Sequence, residues 1–120
     1  MPTILEAAGS PAPARCQGHS RIADVRAGRL GWREPVFLEN ITQEIDGKPA
    51  IERAVRTENW KLILRDRPRS ELYDLRSDPG ERNDLFSREP ARVKELAALI
   101  SNWAKSIDDP VAAELAKKQL

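Results

Sequence analysis

Side chains able to do chemistry are few in this 120-residue chain, and they are scattered. The one histidine, His19, sits in an irregular, Gly-flanked segment with no Ser-His-Asp or Cys-His spacing around it, and reads as an exposed loop residue. Cys16 is the one cysteine. It permits no internal disulfide, a zinc site built on it and a single histidine would lack ligands, and it reads as a half-buried small residue. The carboxylates Asp74, Asp78, Glu81 and Asp84 follow one another at a spacing that suggests calcium. No Asp-x-Asp-x-Asp-Gly loop accompanies them, so turn and helix-capping chemistry is the better account. A Gly-rich phosphate loop is absent too. Arg53, Arg56 and Lys61, on neighbouring strands, form either an anion grip or the polar face of a half-covered sheet. Trp32, Trp60 and Trp103 read as core or interface anchors rather than a stacking platform.

The elements that must position these groups are legible from periodicity. Pro2 to Ala8 reads as a short helix, with Pro in its first turn, Ile4, Leu5 and Ala8 on one face and Gly9 placed for its end. Ser10 to Glu34 shows neither period 2 nor period 3.6 and reads as a long connection. Short β-like runs follow. Val36 to Glu39 is a strand, Asp46-Gly47 a turn, and Ile51 to Thr57 a second strand in which Ile51, Arg53 and Val55 alternate with Glu52, Ala54 and Arg56. Trp60 to Leu64 puts Trp60, Leu62 and Leu64 on one side and Lys61 and Ile63 on the other. Glu71 to Leu75 is a fourth strand, ending at the Asp78-Pro79-Gly80 turn. Links this short make the strands antiparallel.

The clearest element is a helix from about Pro90 to Ile107. Val93, Leu96, Ala97, Ile100, Trp103, Ala104 and Ile107 recur at steps of three and four. Such a stripe must cover something, and the sheet just before it is the available partner. Burying its large side chains at ~1.5–3 kcal/mol each would supply much of the unit's stabilisation. Asp108-Asp109-Pro110 stops this helix, and Val111 to Lys118 is an Ala-rich terminal helix expected to fray. The fold class is therefore α+β: a small antiparallel sheet of about four strands packed by a C-terminal helix, preceded by a helix and an irregular segment.

Composition narrows the function. Lys and Arg number 20 against 19 Asp and Glu, with 40% apolar residues. That is ordinary soluble usage, and no run approaches the ~20 apolar residues of a membrane span. Balanced charge gives no field steering the chain to nucleic acid or an anionic membrane. The first residues lack a basic region ahead of an apolar one, so they are not a signal peptide; the compartment stays open.

Two stretches are more specific. Met1-Pro2-Thr3-Ile4-Leu5-Glu6-Ala7-Ala8-Gly9 resembles the Asp-x-x-Pro-Thr-x-Leu-x-x-Ala-Gly segment of the sulfatase family, a branch of the alkaline phosphatase superfamily. Val55 to Ile63, followed by Glu71 to Leu85, is similar to that family's C-terminal strands and turn, with Asp84 where Asn is usual. Between them, Gly18 to Val25 resembles the family's Gly-x-Ser-Leu-x-Pro-Leu-Leu segment. By contrast, Cys16-Gln17-Gly18-His19-Ser20-Arg21 departs from the Cys-x-Pro-x-Arg motif that sulfatases convert to formylglycine: Gly18 replaces the proline and the arginine falls one residue late.

The resemblance covers nearly the whole chain but only about the last quarter of a family member. It implies that residues 1–33 are the tail of the main α/β domain with its connection, and that 34–120 are the C-terminal subdomain. It also implies a sulfuric ester hydrolase in which formylglycine and calcium belong to the full-length parent. This chain would hold no cofactor and no catalytic or metal residue of its own. Its partner is then the N-terminal sulfatase domain, and a sulfate ester would be met only through that parent. His19, Asn40 and Arg53 are the candidate substrate contacts, for their loop or strand-end positions and hydrogen-bonding capacity. The alternative is a stand-alone, non-catalytic binding or assembly module derived from a sulfatase.

Overall fold

The computed structural model describes residues 1–16, 18–29, 34–45, 48–67 and 69–120. Trp32, the Asp46-Gly47 turn and Pro68 of the strand-breaking Arg67-Pro68 pair lie outside the described residues. The chain divides into two compact units, Met1–Trp32 and Arg33–Leu120. Among the described residues no helix is long and apolar enough to cross a membrane.

In the N-terminal unit, helix α1 (Pro2–Ala7) begins with its proline, whose fixed φ and missing N–H suit a first turn. It ends where Gly9 takes φ +70°, which lets the Ser10 N–H donate back to the Leu5 carbonyl. A second helix, α2 (Ile22–Arg26), stands inside the stretch expected to be a plain connection. Five residues are too short to display a period, so its formation rests on local bonds. The Ile22 N–H donates to Ser20 Oγ, the Arg21 N–H to Thr3 Oγ1, and Gly28 closes the helix with φ +64°.

The C-terminal unit is α+β. Strands β1 (Val36–Ile45), β2 (Lys48–Arg56), β3 (Trp60–Arg65) and β4 (Glu71–Asp74) form one antiparallel sheet in chain order. β1 runs well past the expected Glu39, because pairing with β2 carries its polar half, which shows no apolar alternation. The register sets Leu38 opposite Ala54, Ala54 opposite Ile63, and Leu62 opposite Leu72. β4 is also held at its outer edge. The Leu72 N–H donates to Asp84 Oδ1 and its carbonyl accepts from the Leu85 N–H, which blunts an edge otherwise open to another strand. Asp84 Oδ1 accepts from the Phe86 N–H as well, a role an Asn carbonyl would also fill.

Helix α3 (Pro90–Ile107) starts and ends where the periodicity places it. Its last turn closes with Asp108 in the left-handed region, φ 57°, from which the Asp109 N–H reaches the Ala104 carbonyl. Val93, Leu96, Ala97, Ile100 and Ala104 are buried against Val55, Leu62, Leu64 and Leu72 of the sheet. Trp103 is half-buried and stacks on Phe37 of β1, with centroids 5.0 Å apart and planes 3° from parallel.

Helix α4 (Pro110–Lys117) is tied to the rest of the unit, with Ala112, Leu115 and Ala116 joining the same core. Its start is fixed by Asp109, whose Oδ1 accepts from the Val111 and Ala112 N–H groups. The other oxygen, Oδ2, accepts from Arg53 Nε at 2.7 Å. Burial alone would raise the Asp109 pKa, but the guanidinium and the two backbone donors outweigh it and hold the carboxyl below its ordinary value.

Two measurements check this packing. Ile100→Ala is expected to cost about 2–5 kcal/mol in chemical denaturation. In that variant and in Trp103→Ala, sheet and helix signals in circular dichroism should be lost together. Asp109 binds its proton more weakly folded than unfolded, so its contribution is complete above about pH 4. It disappears as pH falls through the depressed folded value. Asp109→Asn should flatten this acid limb of stability against pH, and an unchanged acid limb would contradict the pairing.

Candidate functional site

His19 is exposed in the N-terminal unit, at the margin of an open concavity lined also by Pro2, Glu6, Ser10 and Ser20. Asn40 and Arg53 belong to the other unit, where the β1–β2 pairing makes them neighbours: Asn40 lies opposite Glu52, and Arg53 opposite Glu39. Together with Glu39 and Ile41 they line an open concavity of about 320 Å³. Asn40 is exposed on the outer strand, and its Nδ2 donates to Glu52 Oε2 at 3.3 Å.

Arg53 is different in kind, being 8% exposed. Besides Asp109, its guanidinium donates to the Glu52 carbonyl at 2.9 Å and lies 3.8 Å from a Glu39 carboxylate oxygen. It stands on the face covered by the helices, along with Val55, whereas Arg56 and Lys61 occupy the opposite face. Period 2 along β2 already separates Arg53 from Arg56, so the three cations do not make one anion grip. Lys61 is committed to Glu81, with Nζ 2.7 Å from Oε2.

A second polar group went unrecognised in the sequence. On the face away from the helices, Arg65 bridges Glu52 and Glu71, and the Tyr73 hydroxyl donates to Glu71 Oε2. Burial, reinforced by the Glu71 carboxylate, pushes the Tyr73 pKa up to about 12. Burial opposes the charge on Arg65, but the two carboxylates more than compensate and raise its pKa. The cross-strand register, which sets Glu52 opposite Arg65, was the signal that could have found this group.

The turn carboxylates are used as turns use them. Asp74 accepts from the Arg76 N–H and Ser77 Oγ, which hold its pKa down, and Asp78 accepts from the Arg82 and Asn83 N–H groups. Among the described residues, no group of three or more His, Cys, Asp and Glu side chains converges where a metal ion could bind. Cys16 is a half-buried free thiol. The residues described therefore do not fit a calcium cage or a formylglycine precursor. What they offer is hydrogen-bonding capacity at Asn40 and His19, on elements held by Arg53 and by the α1–α2 pair.

Known proteins share both sequence and fold with this arrangement. An N-acetylglucosamine-6-O-sulfatase of Bacteroides thetaiotaomicron is 27% identical over 115 residues, which cover 90% of this chain and 21% of that protein. A solved protein in complex with its substrate, D-glucosamine-2-N,6-O-disulfate, superposes with TM-score 0.75 at 27% identity, over 94% of this chain and 24% of the other. A solved 2-O GAG sulfatase superposes with TM-score 0.68 at 30% identity, over 90% and 24%. The chain thus spans between a fifth and a quarter of the length of these relatives, and it resembles the C-terminal part of sulfatases. With residues 1–107 matching the family model of the N-sulphoglucosamine sulphohydrolase C-terminal region, the antiparallel sheet and its covering helix have their explanation: the chain belongs to that sulfatase family.

Proposed function

We propose that this chain is the C-terminal portion of a sulfatase-type sulfuric ester hydrolase, supporting the parent's fold and bordering its substrate cleft. The larger N-terminal domain supplies the chemistry. The observation that carries this reading is the pairing of family membership with span: residues 1–107 match the family, yet the chain reaches only 21–24% of its relatives' lengths. Likeness to the sulfatase family is what assigns formylglycine and calcium to that larger domain. The names of the relatives point to a sulfated amino sugar as the parent's substrate class.

Within this role the three candidate residues divide. Asn40 and His19 are exposed and are the side chains through which this portion meets substrate. Arg53 is a positioning residue, spending its donors on Asp109 and the Glu52 carbonyl to hold β2 beside α4.

The 120-residue chain, purified and supplied with calcium, is expected to release no sulfate from an aryl sulfate above background. The longer polypeptide encoded in frame with it is expected to do so. In that polypeptide Asn40→Ala should raise KM roughly 3- to 10-fold with kcat little changed, as the loss of one ordinary hydrogen bond implies. Catalytic sulfate release by the short chain alone would overturn the proposal.

A further inference from the structure

The Asn40 amide is held at one end, and chemistry decides which. An ionised carboxylate accepts hydrogen bonds but has none to give, so only the amide NH2 can face Glu52, and Nδ2 donates to Glu52 Oε2 at 3.3 Å. That carboxylate is itself fixed. Its other oxygen, Oε1, accepts from Arg65, whose guanidinium also reaches Glu71, and Glu71 in turn accepts from the Tyr73 hydroxyl. The chain of bonds runs from exposed Asn40 on β1 to buried Tyr73 on β4. It leaves Asn40 with one uncommitted function, the acceptor Oδ1.

Asn40 borders a shallow concavity of about 230 Å³ in which Leu38, Ala54 and Ile63 supply apolar surface. Of the charged residues lining it, Lys61 is committed to Glu81, and the other two, Glu39 and Glu52, are carboxylates. Such surroundings favour a neutral group over a sulfate. Apolar surface beside a single oriented acceptor suits the uncharged part of a sugar, which offers C–H faces together with hydroxyl or N–H donors.

We propose that Asn40 accepts a hydrogen bond through Oδ1 from a hydroxyl or N–H group of the substrate's sugar, and that Glu52 is the positioning residue that turns the amide outward. The inference rests on the reading of Asn40 as a substrate contact. It makes this portion a reader of the sugar rather than of its sulfate.

The test measures sulfate release from D-glucosamine-2-N,6-O-disulfate by the longer in-frame polypeptide. Glu52→Gln offers Asn40 a partner that donates as readily as it accepts, so the amide loses its orientation. KM should rise roughly 3- to 10-fold with kcat little changed, and adding Asn40→Ala should cost little more. Glu71→Gln loosens the same row without touching Asn40 and should leave KM within about 2-fold. The paired swap Asn40→Asp with Glu52→Gln reverses the bond, the new amide donating to the new carboxylate, and still presents an acceptor outward. Its KM should return to within about 2-fold of the parent's. A swap as impaired as Asn40→Ala would mean that Nδ2 donates to substrate, and overturns the assignment. Unaltered KM in Glu52→Gln, or an equal rise in Glu71→Gln, overturns the positioning role. In those cases Asn40→Ala still raises KM and the functional reading stands. Unaltered KM in Asn40→Ala, or no release from this substrate, overturns that reading and this inference with it.

Discussion

Helix α3 rests one apolar stripe on one face of the sheet, and most of the C-terminal unit is arranged so that this contact can be made. Ala97 and Ala104 are small enough to let helix and sheet approach, and Val93, Leu96 and Ile100 fill the space between. The hairpin-length links bring four short strands together as a platform no single strand could provide. The segment after β4 turns back through Asp84 and Leu85, which cap the outer edge and deliver the chain to Pro90. Helix α4 then packs on α3, and one carboxylate, Asp109, both starts that helix and neutralises the guanidinium that β2 buries beneath it. A buried arginine is tolerable only where its charge is matched and its N–H groups are taken, and Asp109, Glu39 and the Glu52 carbonyl meet that requirement.

The two sheet faces solve the same problem differently. One is dry and covered by helices. The other mixes a small apolar cluster with a polar row running from Asn40 through Glu52, Arg65 and Glu71 to Tyr73, across all four strands. Each charged member of this row is held by a neighbour on the adjacent strand, so the row pins strand register as well as satisfying charge. The elevated Tyr73 pKa is the electrostatic mark of this environment, where a phenolate beside Glu71 would be disfavoured both by burial and by like charge.

Much of this was legible in advance where a period ran long enough to be counted. The 18 residues of α3 carry five turns of pattern, and both ends were marked by residues with strong local preferences, Pro90 and Asp108. The alternation at Trp60 to Leu64 likewise assigned faces correctly. Where the reading failed, the cause was physical. α2 is shorter than two turns. The second half of β1, Ile41–Ile45, has no apolar alternation in its sequence, and it is the pairing with β2 that carries the strand on. α4 looked weak because alanines contribute little area individually, yet small side chains are what a tight helix-helix seam requires. Arg53 and Asp109 lie 56 residues apart, and no local rule connects them. As for the candidate site, side-chain type marked Asn40 and His19 as able to hydrogen-bond, and both are exposed. Nothing local foretold that Arg53 would be drawn inward by a helix cap.

The strand order β1-β2-β3-β4 has one more consequence. Every strand bonds to its neighbour in the chain, and α3 then folds back over a platform already assembled from local pairings, so closing the structure requires few long loops. A segment wired in this way can mature rapidly behind the ribosome without waiting for instruction from distant parts of a polypeptide.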